Sequence, residues 1–169
     1  PMGGRPIDAT DDHRELTGLE ASGDGLVWTQ LDRALPLPLR FEDADVDLAQ
    51  RAGADLEELD RQPLVVTGLS AGRFELRIDG RTVGSFDPAE LAKGVNLALF
   101  DTPMRQQAYP VKWSIAGGLE AQRVRRHLLV AAAGEPSLLP AAETLAARDE
   151  AAQKQRAEDA RPKVRRYEL

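Results

Sequence analysis

The sequence predicts an α+β module: a small antiparallel sheet or sandwich built from two hairpins, followed by C-terminal helices. Three observations carry this. Apolar Phe74, Leu76 and Ile78 alternate with charged Glu75, Arg77 and Asp79, the period-two pattern of a half-buried strand. Turn signals stand between paired runs twice, at Ala21-Ser22-Gly23-Asp24-Gly25 and at Asp79-Gly80, the latter a dipeptide suited to the positive φ of two-residue hairpin turns. After residue 101 the apolar spacing turns helical, and residues 141–161 are rich in Ala, Glu, Gln, Lys and Arg, all good helix formers.

Taken in order, residues 1–13 are polar and glycine-rich, and read as a flexible leader with Ile7 as its apolar anchor. Pro1 is not an initiator, so the chain is expected to be an expression scar, a processed product or a fragment, with room for motifs upstream. Residues 14–100 read as a β-rich module with short helices. Its first hairpin runs over 15–31 and contributes Trp28 to the core. Ala34-Leu35-Pro36-Leu37-Pro38-Leu39 alternates proline and so excludes helix and central strand. Residues 41–59 are acidic and read as a connector, followed by a short helix over 54–61. They lack the central Gly and closing Glu of a calcium loop, so a solvated loop is the reading and no metal site is assigned.

Leu64-Val65-Val66-Thr67 is a β-branched run between Pro63 and Gly68, and reads as a strand. Residues 82–86 form the strand after Asp79-Gly80, with Gly84 at a bulge or a close backbone approach. Asp87 then Pro88 reads as N-cap and first helical residue of a helix over 88–93, stopped by Gly94. Asp79 and Asp87 thus have structural explanations. Residues 101–133 read as a helical segment, capped by Asp101 or Thr102, kinked near Pro110 and weak at Gly117-Gly118. Residues 134–169 read as an Ala- and charge-rich helix, exposed or completed by a partner, and a solvated basic tail carrying Lys163, Arg165 and Arg166.

Composition excludes several functions. The net charge of −6 argues against a nucleic-acid partner. There are no cysteines, hence no disulfide, thiol catalysis or Cys-ligated zinc. No run approaches the ~20 apolar residues of a membrane span, and the opening residues lack the charged-then-apolar pattern of a signal peptide. The two histidines, His13 and His127, lack orienting partners nearby in sequence. None of Ser22, Ser70, Ser85, Ser114 and Ser137 lies in a Gly-x-Ser-x-Gly elbow. Phosphate-cradling, dinucleotide-binding and His-Glu-x-x-His motifs are missing. No catalytic, cofactor-binding or metal residue is assigned, and no cofactor.

Two blocks resemble a known family. Val66-Thr67-Gly68-Leu69, then Ala71-Gly72-Arg73-Phe74-Glu75-Leu76-Arg77-Ile78-Asp79-Gly80 and Val83-Gly84-Ser85-Phe86, form one. Glu90-Leu91-Ala92-Lys93-Gly94-Val95-Asn96-Leu97-Ala98, then Asp101-Thr102-Pro103-Met104 and Gln107-Ala108, form the other. Over residues 16–111 the chain resembles the region after the catalytic domain of bacterial SGNH/GDSL-type hydrolases, the serine esterase and acylhydrolase superfamily. That family's Gly-Asp-Ser block is missing, and Thr10 and Val124 stand where an Asp-x-x-His pair needs Asp. Asn96 is outside a Gly-x-Asn-Asp block and receives no oxyanion role. The resemblance therefore implies a non-catalytic accessory or C-terminal part of an ester hydrolase, secreted or periplasmic, with an SGNH-type catalytic domain or chain as partner. Homo-oligomerisation through the C-terminal helices is the other partnership read. The alternatives are a carbohydrate-binding module, with Trp28, Trp113, Tyr109 and Tyr167 as the available platforms, and a structural or assembly module with no hydrolase partner.

Overall fold

A computed structural model describes residues 7–10, 14–22, 25–39, 44, 48, 51–53 and 55–169. The described chain is α+β and divides into two compact units, residues 1–106 with 162–169, and residues 107–161.

The first unit is built on a six-stranded sheet in the order β1-β2-β3-β8-β5-β6, every pairing antiparallel. Its strands are β1 (Ile7–Thr10), β2 (Arg14–Ser22), β3 (Gly25–Asp32), β5 (Phe74–Ile78), β6 (Arg81–Phe86) and β8 (Arg165–Glu168). Both expected hairpins are present, β2 with β3 and β5 with β6. The residues between β2 and β3, and His13, lie outside the described ones. β1 falls within the stretch read as a flexible leader and instead pairs with β2.

Residues 165–168 are not a solvated extension; they form β8, inserted between the two hairpins. Trp28, Tyr167 and Ile78 are register partners across β3, β8 and β5, so their side chains share one face. All three are buried, and the Trp28 and Tyr167 rings stack with centroids 5.1 Å apart. The charges that made this segment read as solvated are paired at the sheet's other positions. Arg165 meets Asp79 at 2.8 Å, and Arg166 meets Glu168 at 3.0 Å. The Asp79 carboxylate also accepts the Arg166 N–H at 2.9 Å, and the Asp79 N–H donates to the Arg166 carbonyl at 2.7 Å. The hairpin turn thus holds the last strand.

That turn has the expected chemistry: Asp79 and Gly80 have φ of 51° and 76°, the left-handed pair of a type I′ turn. Gly84 sits at a register shift opposite Leu76, and a Cβ there would lie 2.7 Å from the Phe86 ring. The expected bulge and the expected close approach coincide. Residues 64–67 supply less strand than their β-branched run predicts. Only β4 (Pro63–Leu64) pairs, with β7 (Val95–Asn96), while Val65 is exposed and Val66 donates its N–H to the Leu91 carbonyl.

Between these strands lie α1 (Leu56–Leu59), α2 (Pro88–Lys93) and a 3-10 turn, Leu97–Leu99. Asp87 caps α2 in a full capping box. Its carboxylate accepts the Glu90 N–H at 2.9 Å, and the Glu90 carboxylate accepts the Asp87 N–H at 2.8 Å. Gly94 ends the helix at φ 102°. The core gathers Trp28, Leu76, Ile78, Leu91, Leu97, Met104 and Tyr167.

α3 (Pro103–Ala131) starts in the first unit, where buried Thr102 accepts the Arg105 N–H at 3.2 Å and so is the cap. The helix runs through Pro110 and Gly117-Gly118 without interruption. A 3-10 turn, Pro136–Leu138, leads to α4 (Leu139–Asp159). In the second unit Gln107 donates to the Asp159 carbonyl, Arg156 to the Ser114 carbonyl, and Gln122 to Asp149. As one number rises the other falls, so the helices are antiparallel. Gly118 is the contact point: a Cβ there would lie 2.8 Å from Arg156. Asp149 accepts from Gln122, Gln153 and Arg156, and these donors, Gln122 first, hold its carboxyl below the usual range.

Candidate functional site

The first unit carries a cleft of about 530 Å³ where β3, the extended segment 33–37 and residues 59–64 meet. Period two places Trp28, Gln30 and Asp32 on one face of β3, and their polar atoms form a chain. Trp28 Nε1–H donates to Gln30 Oε1 at 3.3 Å, and Gln30 Nε2–H donates to Asp32 Oδ1 at 2.7 Å. Tyr167 O–H donates to Asp32 Oδ2 at 3.2 Å. Burial first, and then the Asp32 carboxylate, push the Tyr167 phenol well above its ordinary value, so it stays a donor.

Asp60 stands across the cleft and is 6 % exposed. One of its oxygens accepts the Leu37 N–H at 3.0 Å; the other is buried without a hydrogen-bond partner. Burial pushes its carboxyl above the ordinary value, against the Leu37 N–H and the Arg105 charge, which lower it. Asn96 ties the floor together: its oxygen accepts from the Gln62 and Ala98 N–H groups, and its amide donates to the Asp60 carbonyl. Arg14 donates to the Pro63 carbonyl, and Arg33 pairs with Glu15. Leu35, Pro36, Leu64 and Leu97 complete an apolar wall.

The volume is that of a small-ligand pocket. Its chemistry is that of a structural clamp. No serine, histidine or lysine lines it among the described residues. Both Asp32 oxygens hold donors from the protein, and the open Asp60 oxygen is shut away from solvent.

The residues singled out in the sequence are scattered. Ser70 is exposed, and Ser85 accepts from Arg73 at 3.3 Å. Ser137 donates to Glu135 at 3.1 Å, and the Ser114 carbonyl takes Arg156. His127 is exposed on α3. The Ser22 side chain, His13 and, in the acidic stretch 41–59, Glu42, Asp43, Asp45 and Asp47 lie outside the described residues. Among the described residues no cluster of three metal-ligating side chains occurs, and no helix is long and apolar enough to cross a membrane. Of the four aromatic platforms, Trp28 and Tyr167 are core, while Trp113 is 66 % exposed. The Gln30–Asp32–Tyr167 chain and the Asp60–Asn96 clamp went unread in the sequence. The one signal for the first was Gln30 and Asp32 at two-residue spacing after Trp28; for the second there was none, since its members are 36 residues apart.

No family model matches the chain, and no curated protein matches it. Among solved structures it is similar to BT4096, titled a gut microbial diltiazem-metabolizing enzyme, with a TM-score of 0.72 and 20 % identity over 97 % of this chain and 45 % of that one. The chain therefore spans less than half the length of that protein, and at this identity the likeness is one of fold.

Proposed function

We propose that this chain is a non-catalytic accessory part of an SGNH/GDSL-type ester hydrolase, packing on a catalytic domain. The observation that carries the reading is where the reactive groups are used. The carboxylates of the cleft, Asp32 and Asp60, are spent on the protein's own donors or enclosed, and the serines with described contacts bond to Arg or Glu neighbours. The resemblance of residues 16–111 to the segment after the catalytic domain supplies the family. On this reading, bond breaking belongs to groups on another domain, and the protein would work outside the cytoplasm.

The test starts from the coding sequence on either side of this chain, followed by co-expression with the neighbouring catalytic half. The expected result is a Gly-Asp-Ser block and an Asp-x-x-His pair in the same or the adjoining reading frame. The catalytic half should also unfold at a higher temperature when this chain is present, as binding to the folded state requires. Flanking sequence without those motifs, or a catalytic half indifferent to the chain, overturns the proposal.

A further inference from the structure

The helical unit buries little. Of residues 107–161 the buried side chains are small, Ala132 and Ala142 among them, and Gly118 marks the helix contact. A pair of helices that hides so little apolar surface wants a further layer. Along the seam between α3 and α4 runs a groove of about 560 Å³. Leu129 and Leu145 line it, with Leu129 41 % exposed. Its charge is divided by wall: α3 contributes Arg125 and Arg126, and α4 contributes Glu150 beside Asp149, whose carboxylate is already held by Gln122, Gln153 and Arg156.

We propose that a second copy of this chain covers the groove, through two-fold pairing in which α3 of each copy lies over α4 of the other. A two-fold contact requires one surface to carry both a feature and its complement, and a groove with a basic wall and an acidic wall does so. The axis that meets this demand runs along the helices, because that rotation exchanges the walls and keeps the level along the hairpin. The Gln122–Asp149 hydrogen bond marks a shared level. Arg125 and Arg126 stand within about one turn beyond it, and helical side chains lean toward the N-terminus, which carries both guanidinium groups back toward the partner copy's acidic wall. Glu150 is engaged by Lys154 in an exposed pair, which exchanges at little cost. The two leucines then meet their counterparts across the seam. This inference stands apart from the accessory reading; either can fail without the other.

The experiment is sedimentation equilibrium of the full chain, with helix content checked by circular dichroism. The wild type is expected to show a monomer–dimer equilibrium. Glu150→Arg places cations on both walls, and Arg125→Glu with Arg126→Glu places anions on both. Each is expected to weaken self-association by ~10-fold or more. Mixed in equal amounts, the two variants are expected to form a mixed dimer, since every wall then faces its opposite. A wild-type chain that stays monomeric up to about 500 µM, a dimer indifferent to both variants, or a mixture that does not recover association would overturn the proposal. If a variant loses helix, the wild-type dimer is compared at about 50 mM and about 500 mM salt, where weakening supports the charged walls and indifference refutes them.

Discussion

Tyr167 sits at the centre of the sheet on the strand that joins the two hairpins, and its removal has a magnitude that follows from its surroundings. The ring is fully buried, stacked on Trp28 at an interplanar angle of 17°, and its hydroxyl donates to Asp32. Tyr167→Ala removes a core aromatic, a change that costs about 3–5 kcal/mol in well-packed interiors. That is a large share of the roughly 5–15 kcal/mol by which folded domains are stable. Tyr167→Phe keeps the ring and deletes one donor to a carboxylate that retains Gln30, so its cost is about 1–2 kcal/mol. Urea unfolding reads both. Doing so in a Trp113→Phe background leaves Trp28 as the reporter, since the chain has two tryptophans and Trp113 is largely exposed. The midpoint should fall far for Tyr167→Ala and modestly for Tyr167→Phe. If Tyr167→Ala costs less than about 1 kcal/mol, β8 is not holding the sheet, and the placement of the last strand is refuted.

Three further outcomes are expected. Asp60→Asn keeps the oxygen that accepts the Leu37 N–H and removes a charge that burial disfavours. Because the native carboxyl is raised above its ordinary 3.8, the wild type loses stability as pH climbs from about there through the raised value; the variant should lack that decline and be the more stable at pH 7 by thermal unfolding. Gly84→Ala drives a methyl to 2.7 Å from the Phe86 ring, which is itself wedged edge-on against Phe100 at 5.4 Å, and should cost about 1–3 kcal/mol in urea titration. Asp87→Ala deletes the capping box and should cost about 1 kcal/mol, with Asp87→Ser restoring most of it.

Local chemistry was legible and remote pairing was not. Asp79-Gly80, Asp87-Pro88 and Gly94 each announce a backbone conformation that few other residues supply, and each is where the sequence places it. The alternation through Phe74, Leu76 and Ile78 likewise fixed one strand and its buried face. β8 was hidden because a four-residue strand with one apolar side chain, Tyr167, carries no periodicity, and because Arg165 and Arg166 find their partners in Asp79, remote in sequence, and Glu168. Gly117-Gly118 reads as a weak point in a lone helix, whereas against α4 the missing Cβ is what admits Arg156. The clamp at the cleft joins Leu37, Asp60, Gln62 and Asn96, residues with no local pattern; the pairing of β4 with β7 brings Asn96 to Gln62 and Asp60.

The most direct test of the proposal that this chain docks rather than cleaves is reaction with a fluorophosphonate probe, read by intact mass and followed by p-nitrophenyl acetate turnover. The account predicts an unmodified mass and turnover at the buffer rate. A stoichiometric adduct on any of its serines, accompanied by ester hydrolysis that the adduct abolishes, would contradict it.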